Sequence, residues 1–178
     1  MFRSRKLGGV LLAACVLALA GCGAEHKKLV WDTQNVTGGL PDLQFILTDD
    51  NGHTVHASDY AGKIRLVYFG YTHCPDVCPL TLDTLHEALQ SLGKQANAVR
   101  VLFVSVDPKR DTPPILKTYA SAFGPDIIGL TGTQAQLHAV TSRYHVTYSY
   151  YAPDAAGDYE VQHSSAVFVF DRGGKARL

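Results

Sequence analysis

The chain is 178 residues long and 46% apolar, enough for one domain of ordinary size with its own core. Its 16 basic and 16 acidic residues cancel, but Arg3, Arg5 and Lys6 crowd the N-terminus, so residues 22–178 carry 13 basic against 16 acidic side chains. With no basic run and no basic helix face, nucleic acid is excluded as a partner.

Residues 1–21 read as an export signal, with a positive start, an apolar run from Leu7 to Ala20, and Leu19-Ala20-Gly21-Cys22 matching the processing box of bacterial lipoproteins. An uncleaved signal-anchor helix fits less well, because the apolar run is short for a bilayer span. Processing at that box makes Cys22 the lipidated first residue and discards Cys15. The exported body then faces the periplasm or the cell exterior, anchored to the membrane through lipid, with Cys74 and Cys78 as an isolated pair in an oxidising compartment. Residues 22–42 are polar and irregular and read as a tether, in which Trp31 either docks on the domain or sits at the membrane interface.

The globular domain spans residues 43–178. Gln44 to Thr48 and His53 to His56 form a hairpin around Asp49-Asp50-Asn51-Gly52, a turn rich in residues that tolerate positive φ. His53 and His56 flank this hairpin as solvated surface residues. After a short turn over Ser58 to Lys63, Ile64 to Phe69 reads as a buried strand.

That strand delivers Phe69 to Leu82, FGYTHCPDVCPLTL. Behind it, Cys78, Leu82, Leu85, Leu89 and Leu92 recur at the spacing of a helix face packed on the strand. Cys74 and Cys78 therefore stand where a strand ends and a helix begins, about one helical turn apart, close enough to close a disulfide or to clamp one metal ion. The orphan amides and the positive dipole end of that helix favour thiolate over thiol. Pro75 and Pro79 fall where first-turn amides lack partners anyway. A purely structural disulfide is a poor reading, because so short a loop removes little unfolded-state entropy. His73 reads as a solvent-facing neighbour that raises local positive potential, with a role as a further ligand as the alternative, and Asp76 reads as the helix cap.

Val99 to Val106 is a second continuous apolar, β-branched run and reads as a buried parallel strand. It leads into Asp107-Pro108-Lys109-Arg110-Asp111-Thr112-Pro113, which a parallel neighbour of the first strand places at the same carboxyl edge as the cysteines. Asp107 is then either a group that orients a ligand or accepts a proton, or a loop hydrogen-bonding residue. Asp111 and Thr112 before Pro113 look like helix caps. A helix over Pro113 to Phe123, a strand over Ile127 to Leu130 and a helix over Thr133 to Tyr144 follow, the last with Leu137, Val140 and Tyr144 inward. Tyr148, Tyr150 and Tyr151 pair with Tyr159-Glu160-Val161 as an excursion hairpin. Ala166 to Phe170 is the last buried strand, and His163 stands at its entrance, close to the thiols if the fold is thioredoxin-like.

These elements give an α/β fold, a thioredoxin-like three-layer sandwich with an N-terminal β-hairpin. FGYTHCPDVCPLTL, FVSVDPKRDTP and VQHSSAVFVFD together resemble the Sco/SenC family of copper-handling proteins in cytochrome c oxidase assembly, a likeness that runs from about Leu43 to the end. The resemblance implies copper bound by two thiolates and a histidine, which fall on Cys74, Cys78 and His163. It also implies a partner in the copper-bearing subunit of cytochrome c oxidase or another cuproprotein. Soft thiolates suit Cu(I), and an added imidazole nitrogen lets the same site hold Cu(II). A structural zinc site would want four protein ligands.

Two features depart from the family pattern. Gln162 stands where relatives commonly carry an acid, which leaves Asp107 as the obvious source of a supporting carboxylate. The chain also stops at Leu178, just after the Asp171-Arg172-Gly173-Gly174 turn, whereas a thioredoxin-like domain normally continues through a return strand into a C-terminal helix. Without that helix one face of the sheet is expected to be partly uncovered, which predicts a truncated sequence, lower stability or a partner over that face.

The competing function is thiol-disulfide exchange with a partner protein, Cys74 attacking as thiolate and Cys78 resolving. His163 separates the two, since copper requires it and exchange does not. A peroxidase fits worse: Tyr71 stands three residues before Cys74, where peroxiredoxin-like sites want threonine.

Overall fold

The computed structural model describes residues 32–178, so the leader, the lipidation of Cys22 and the placement of Trp31 lie outside the described residues. The central sheet has six strands: β1 (Ile46–Asp49), β2 (Thr54–His56), β3 (Ile64–Gly70), β4 (Val99–Ser105), β5 (Ile127–Thr131) and β8 (Val167–Phe170), in the order β2-β1-β5-β4-β3-β8. β3 and β4 pair in parallel without a break from Ile64↔Val99 to Gly70↔Ser105. Val67, Tyr68, Phe69 and Val101 to Val104 are all buried, which is why both strands read as continuous apolar runs rather than as alternating ones. β5 extends the parallel set beside β4, while β8 pairs antiparallel with β3 and β1 antiparallel with β5.

Among the described residues three α-helices complete the fold: α1 (Val77–Leu92), α2 (Pro113–Ala122) and α3 (Gln134–Arg143). On α1, Cys78, Leu82 and Leu89 are buried, but Leu92 is 44% exposed. The expected stripe therefore runs one turn too far, because the helix ends there and Gly93 turns the chain away at φ +54°. α2 lies so close to β5 that a Cβ on Gly129 would stand 2.8 Å from that of Leu116. α3 starts on a capping box, in which the Thr133 hydroxyl accepts from the Gln136 amide while the Gln136 side-chain oxygen accepts from the Thr133 amide at 2.8 Å.

Between α3 and β8 the chain leaves the sheet as a two-stranded ribbon, β6 (Tyr148–Tyr150) and β7 (Val161–His163). The expected excursion is there, but its second strand lies two residues later than the sequence suggests. Tyr148 pairs with His163 and Tyr150 with Val161, so the histidine is itself part of the ribbon. After Phe170 the chain turns over Asp171 to Lys175 and returns along β8, with the Arg177 amide donating to the Val169 carbonyl at 2.8 Å. Val167, Phe168 and Val169 of that edge strand are only half-buried. The N-terminal lead-in docks on this return: the Val36 amide donates to the Arg177 carbonyl at 3.0 Å, and Leu40 and Leu43 pack against the core.

Candidate metal centre

β3 ends at Gly70, and the chain crosses to α1 through Tyr71 to Asp76. A Cβ on Gly70 would stand 2.8 Å from Cys78 Sγ and 2.7 Å from the Phe103 ring, so glycine there lets the first turn of α1 press its sulfur against the sheet. The Cys78 amide, in that first turn, donates to Cys74 Sγ at 3.4 Å. Asp76 occupies the N-cap position, yet its side chain makes no capping hydrogen bond. The expected cap is thus replaced by a sulfur that takes a first-turn amide for itself.

His163 arrives from β7. Its Nδ1 lies 3.0 Å from the Ser164 carbonyl, which can only accept, so Nδ1 carries the proton and Nε2 presents its lone pair. Nε2 faces Cys78 Sγ at 3.3 Å, and the thiol proton is the one donor available between them. Tyr68 and Tyr71 hold the imidazole edge-on, with ring centroids 6.3 and 5.8 Å away. One ligand atom each from Cys74, Cys78 and His163 lies within 4.8 Å of the others, a spacing that one ion with bonds of roughly 2.0–2.3 Å would draw together with small movements. Both cysteines are free thiols. Cys78 is buried while Cys74 and His163 are half-buried, so the cluster is open on one side.

The electrostatics of the pair differ from the expectation that the helix terminus favours thiolate at both sulfurs. Burial pushes the Cys78 thiol up to about 12. The protein without metal therefore keeps Cys78 as a thiol, and an incoming soft cation must displace that proton.

Asp107 makes the loop hydrogen bonds that the sequence offers as the alternative to orienting a ligand. It is fully buried, and Oδ2 accepts from Arg110 Nε at 2.5 Å and Oδ1 from the Tyr159 hydroxyl at 2.8 Å. The carboxylate that braces the cysteine loop is Asp111, which the sequence suggests only as a cap. It is fully buried and accepts from the Thr72 amide at 3.0 Å, the Thr72 hydroxyl at 2.6 Å and the Ser105 hydroxyl at 2.6 Å. The signal for this was the parallel register: Gly70 opposite Ser105 sets the loops after β3 and β4 side by side. His73 stays outside the cluster, its Nδ1 3.1 Å from the Thr72 hydroxyl and 3.8 Å from Asp111, with 47% of its side chain exposed. Gln162 is exposed, and His53 and His56 lie on the solvated hairpin as expected.

A model of the SCO1/SenC family matches residues 37–177. A "SCO2-like protein" of Rickettsia felis is 39% identical over 132 residues, which cover 74% of this chain and 64% of that protein; the chain thus spans just under two thirds of that relative's length. The structure of Bradyrhizobium japonicum ScoI with copper bound superposes with a TM-score of 0.71 at 42% identity, covering 76% of this chain and 85% of that one. A SCO1/SenC family lipoprotein from Bacillus anthracis superposes with a TM-score of 0.62 at 25% identity, covering 78% and 82%.

Proposed function

The chain belongs to the SCO1/SenC family, and from that premise we propose that it is a copper-binding metallochaperone that delivers copper to, or prepares the thiols of, the copper site of cytochrome c oxidase. The observation that carries this reading is the convergence of Cys74, Cys78 and His163 within 4.8 Å from two elements far apart in sequence. Copper is the cargo, held by two thiolates when Cu(I) and by the thiolates with the His163 Nε2 lone pair when Cu(II). Release proceeds by ligand exchange at the open side: an acceptor thiol gives up its proton and bonds copper, while half-buried Cys74 loses copper and takes up a proton. Three protein ligands rather than four make that exchange accessible.

The test is a copper titration of the reduced protein beside His163→Ala, followed by absorption and electron paramagnetic resonance. One bound copper with thiolate-to-copper charge-transfer bands that His163→Ala removes or strongly weakens is the expected result. Weak binding indifferent to His163, with fast disulfide exchange, would give the site to the second reading, a thiol-disulfide oxidoreductase. That reading is favoured by the two free sulfurs side by side with Cys74 half-exposed.

The same reading places the protein on the membrane by lipid at Cys22, facing the periplasm or cell exterior. It is supported by the Leu19-Ala20-Gly21-Cys22 box and by a lipoprotein among the relatives. Mass spectrometry of the mature N-terminus checks it: a diacylglyceryl-modified Cys22 is expected, and Cys22→Ala should leave the processing step undone.

A further inference from the structure

Between β6 and β7 the ribbon runs out into a tip, residues 151–160, that reaches the cysteine loop. One hollow of about 500 Å³ is lined by Tyr151 and Tyr159 from the tip and by His73 and Pro75, the two neighbours of Cys74. Tyr151 is 55% exposed although its backbone is fixed, its amide donating to the Glu160 carbonyl at 3.0 Å. Asp154, Asp158 and Glu160 line the same hollow, all three exposed and none in an ion pair among the described residues. Arg110 also lines it but does not neutralise them, because it is paired with buried Asp107 at 2.5 Å and stacked 3.6 Å from the Tyr159 ring centroid. The turn is already ordered: Asp154 Oδ1 accepts from the Ala156 and Asp158 amides at 2.8 and 3.0 Å. A partner seated there therefore loses little to ordering this side of the contact.

We propose that the hollow between the ribbon tip and the cysteine loop seats a lysine- or arginine-bearing segment of the protein that exchanges copper with the cluster. The proposal deepens the metallochaperone reading and rests on it for the identity of the partner. Exposed tyrosines supply apolar area and a ring face for a cation, and the uncompensated carboxylates supply the opposite charge. The hollow is continuous with the open side of the metal cluster through His73 and Pro75, so a segment held there lies beside half-buried Cys74.

The test is a nuclear magnetic resonance titration of the metal-free full-length protein with a lysine-rich peptide whose two cysteines are replaced by serine, beside its counterpart with glutamate at every lysine position. The lysine peptide should shift the amides of His73, Tyr151, Asp158 and Glu160, and the glutamate peptide should not. Equal shifts with both peptides, or none with either, overturn the proposal. Asp158→Asn with Glu160→Gln should raise the dissociation constant of the lysine peptide about fivefold, and Tyr151→Ser about threefold. Asp83→Asn with Glu87→Gln, exposed acids of α1 outside the hollow, changes the net charge equally and should leave it within about twofold. An equal loss in that control pair would reduce the effect to net charge and overturn the hollow as a seat. With the dithiol forms of the peptides, copper should pass from the loaded protein faster to the lysine peptide, an advantage that falls as salt is raised. Failure of the protein to bind copper at all would instead defeat the metallochaperone reading and leave the titration to judge the hollow.

Discussion

Cys78 Sγ and His163 Nε2 stand 3.3 Å apart across 85 residues of sequence, the sulfur on the first turn of α1 and the nitrogen on the last residue of β7. In the metal-free protein a thiol proton joins them, and that same proton is what a metal must replace. The site is thus preassembled, with ligand atoms already facing one another and one buried proton between them.

That proton sets a pH dependence. Burial pushes the Cys78 thiol up to about 12 from an ordinary 9.0. A folded-state value above the unfolded one gives stability that is complete below about pH 9 and is lost as pH rises toward 12. Denaturant midpoints of the metal-free protein should fall across this window, and less so in Cys78→Ala, which removes this contribution while leaving the buried tyrosines. Equal slopes for the two proteins would refute the assignment. Copper affinity runs the other way, rising about tenfold per pH unit below the thiol range for each thiol proton displaced.

Gly70→Ala tests how tightly the sulfur is seated. The added methyl would meet Cys78 Sγ at 2.8 Å and the Phe103 ring at 2.7 Å, and Phe103 is fully buried with little room to give. Overpacking of this kind costs about 1–3 kcal/mol. Denaturation should read that loss, and the charge-transfer band of the copper-loaded variant should shift because Cys78 is the side chain displaced. A variant as stable as the parent with an unshifted band would mean that α1 slides freely over β3.

Asp111→Ala should cost more, about 2–4 kcal/mol, because three donors on Thr72 and Ser105 lose a buried acceptor at once. Thr72→Val removes one hydroxyl and should cost about 1 kcal/mol. The double variant should be less destabilised than the sum of the two, since Asp111→Ala already removes the partner of that hydroxyl. Strict additivity in urea denaturation would show that Thr72 and Asp111 are not coupled.

Most of the sheet and the cysteine pair could be read from the sequence because their signals are local. Val99 to Ser105 is apolar on both faces because it is covered on both, and Cys74 and Cys78 announce themselves by spacing. His163 was reachable only through the fold, by knowing what precedes the last strand. The roles of Asp107 and Asp111 were not separable that way. Both are acids in one loop at the same sheet edge, and only the turn from Val106 to Thr112 decides which faces Thr72 and which faces Tyr159. The thiolate expectation failed at Cys78 for a related reason: a helix terminus is visible in sequence, but complete burial of one sulfur against Gly70 is not.

Tyr68 carries the last prediction. Its side chain is fully buried beside His163, and its hydroxyl has no hydrogen-bond partner among the described residues. Burial keeps the phenol well above its ordinary range, so it remains a neutral donor near Cys78. An unpaired buried hydroxyl contributes nothing to set against its desolvation, so Tyr68→Phe should leave the metal-free protein as stable as before, or more stable by about 1 kcal/mol. Loss of stability in thermal melts of the variant would mean that the hydroxyl is paired in solution, with Cys78 or Thr81 the nearest candidates. In the copper-loaded protein the balance changes, because a thiolate accepts hydrogen bonds better than a thiol does. If Tyr68 then donates to the Cys78 sulfur, the variant's charge-transfer band moves to lower energy while its metal-free stability is untouched. That combination distinguishes a group that acts on the bound ion from one that only fills space.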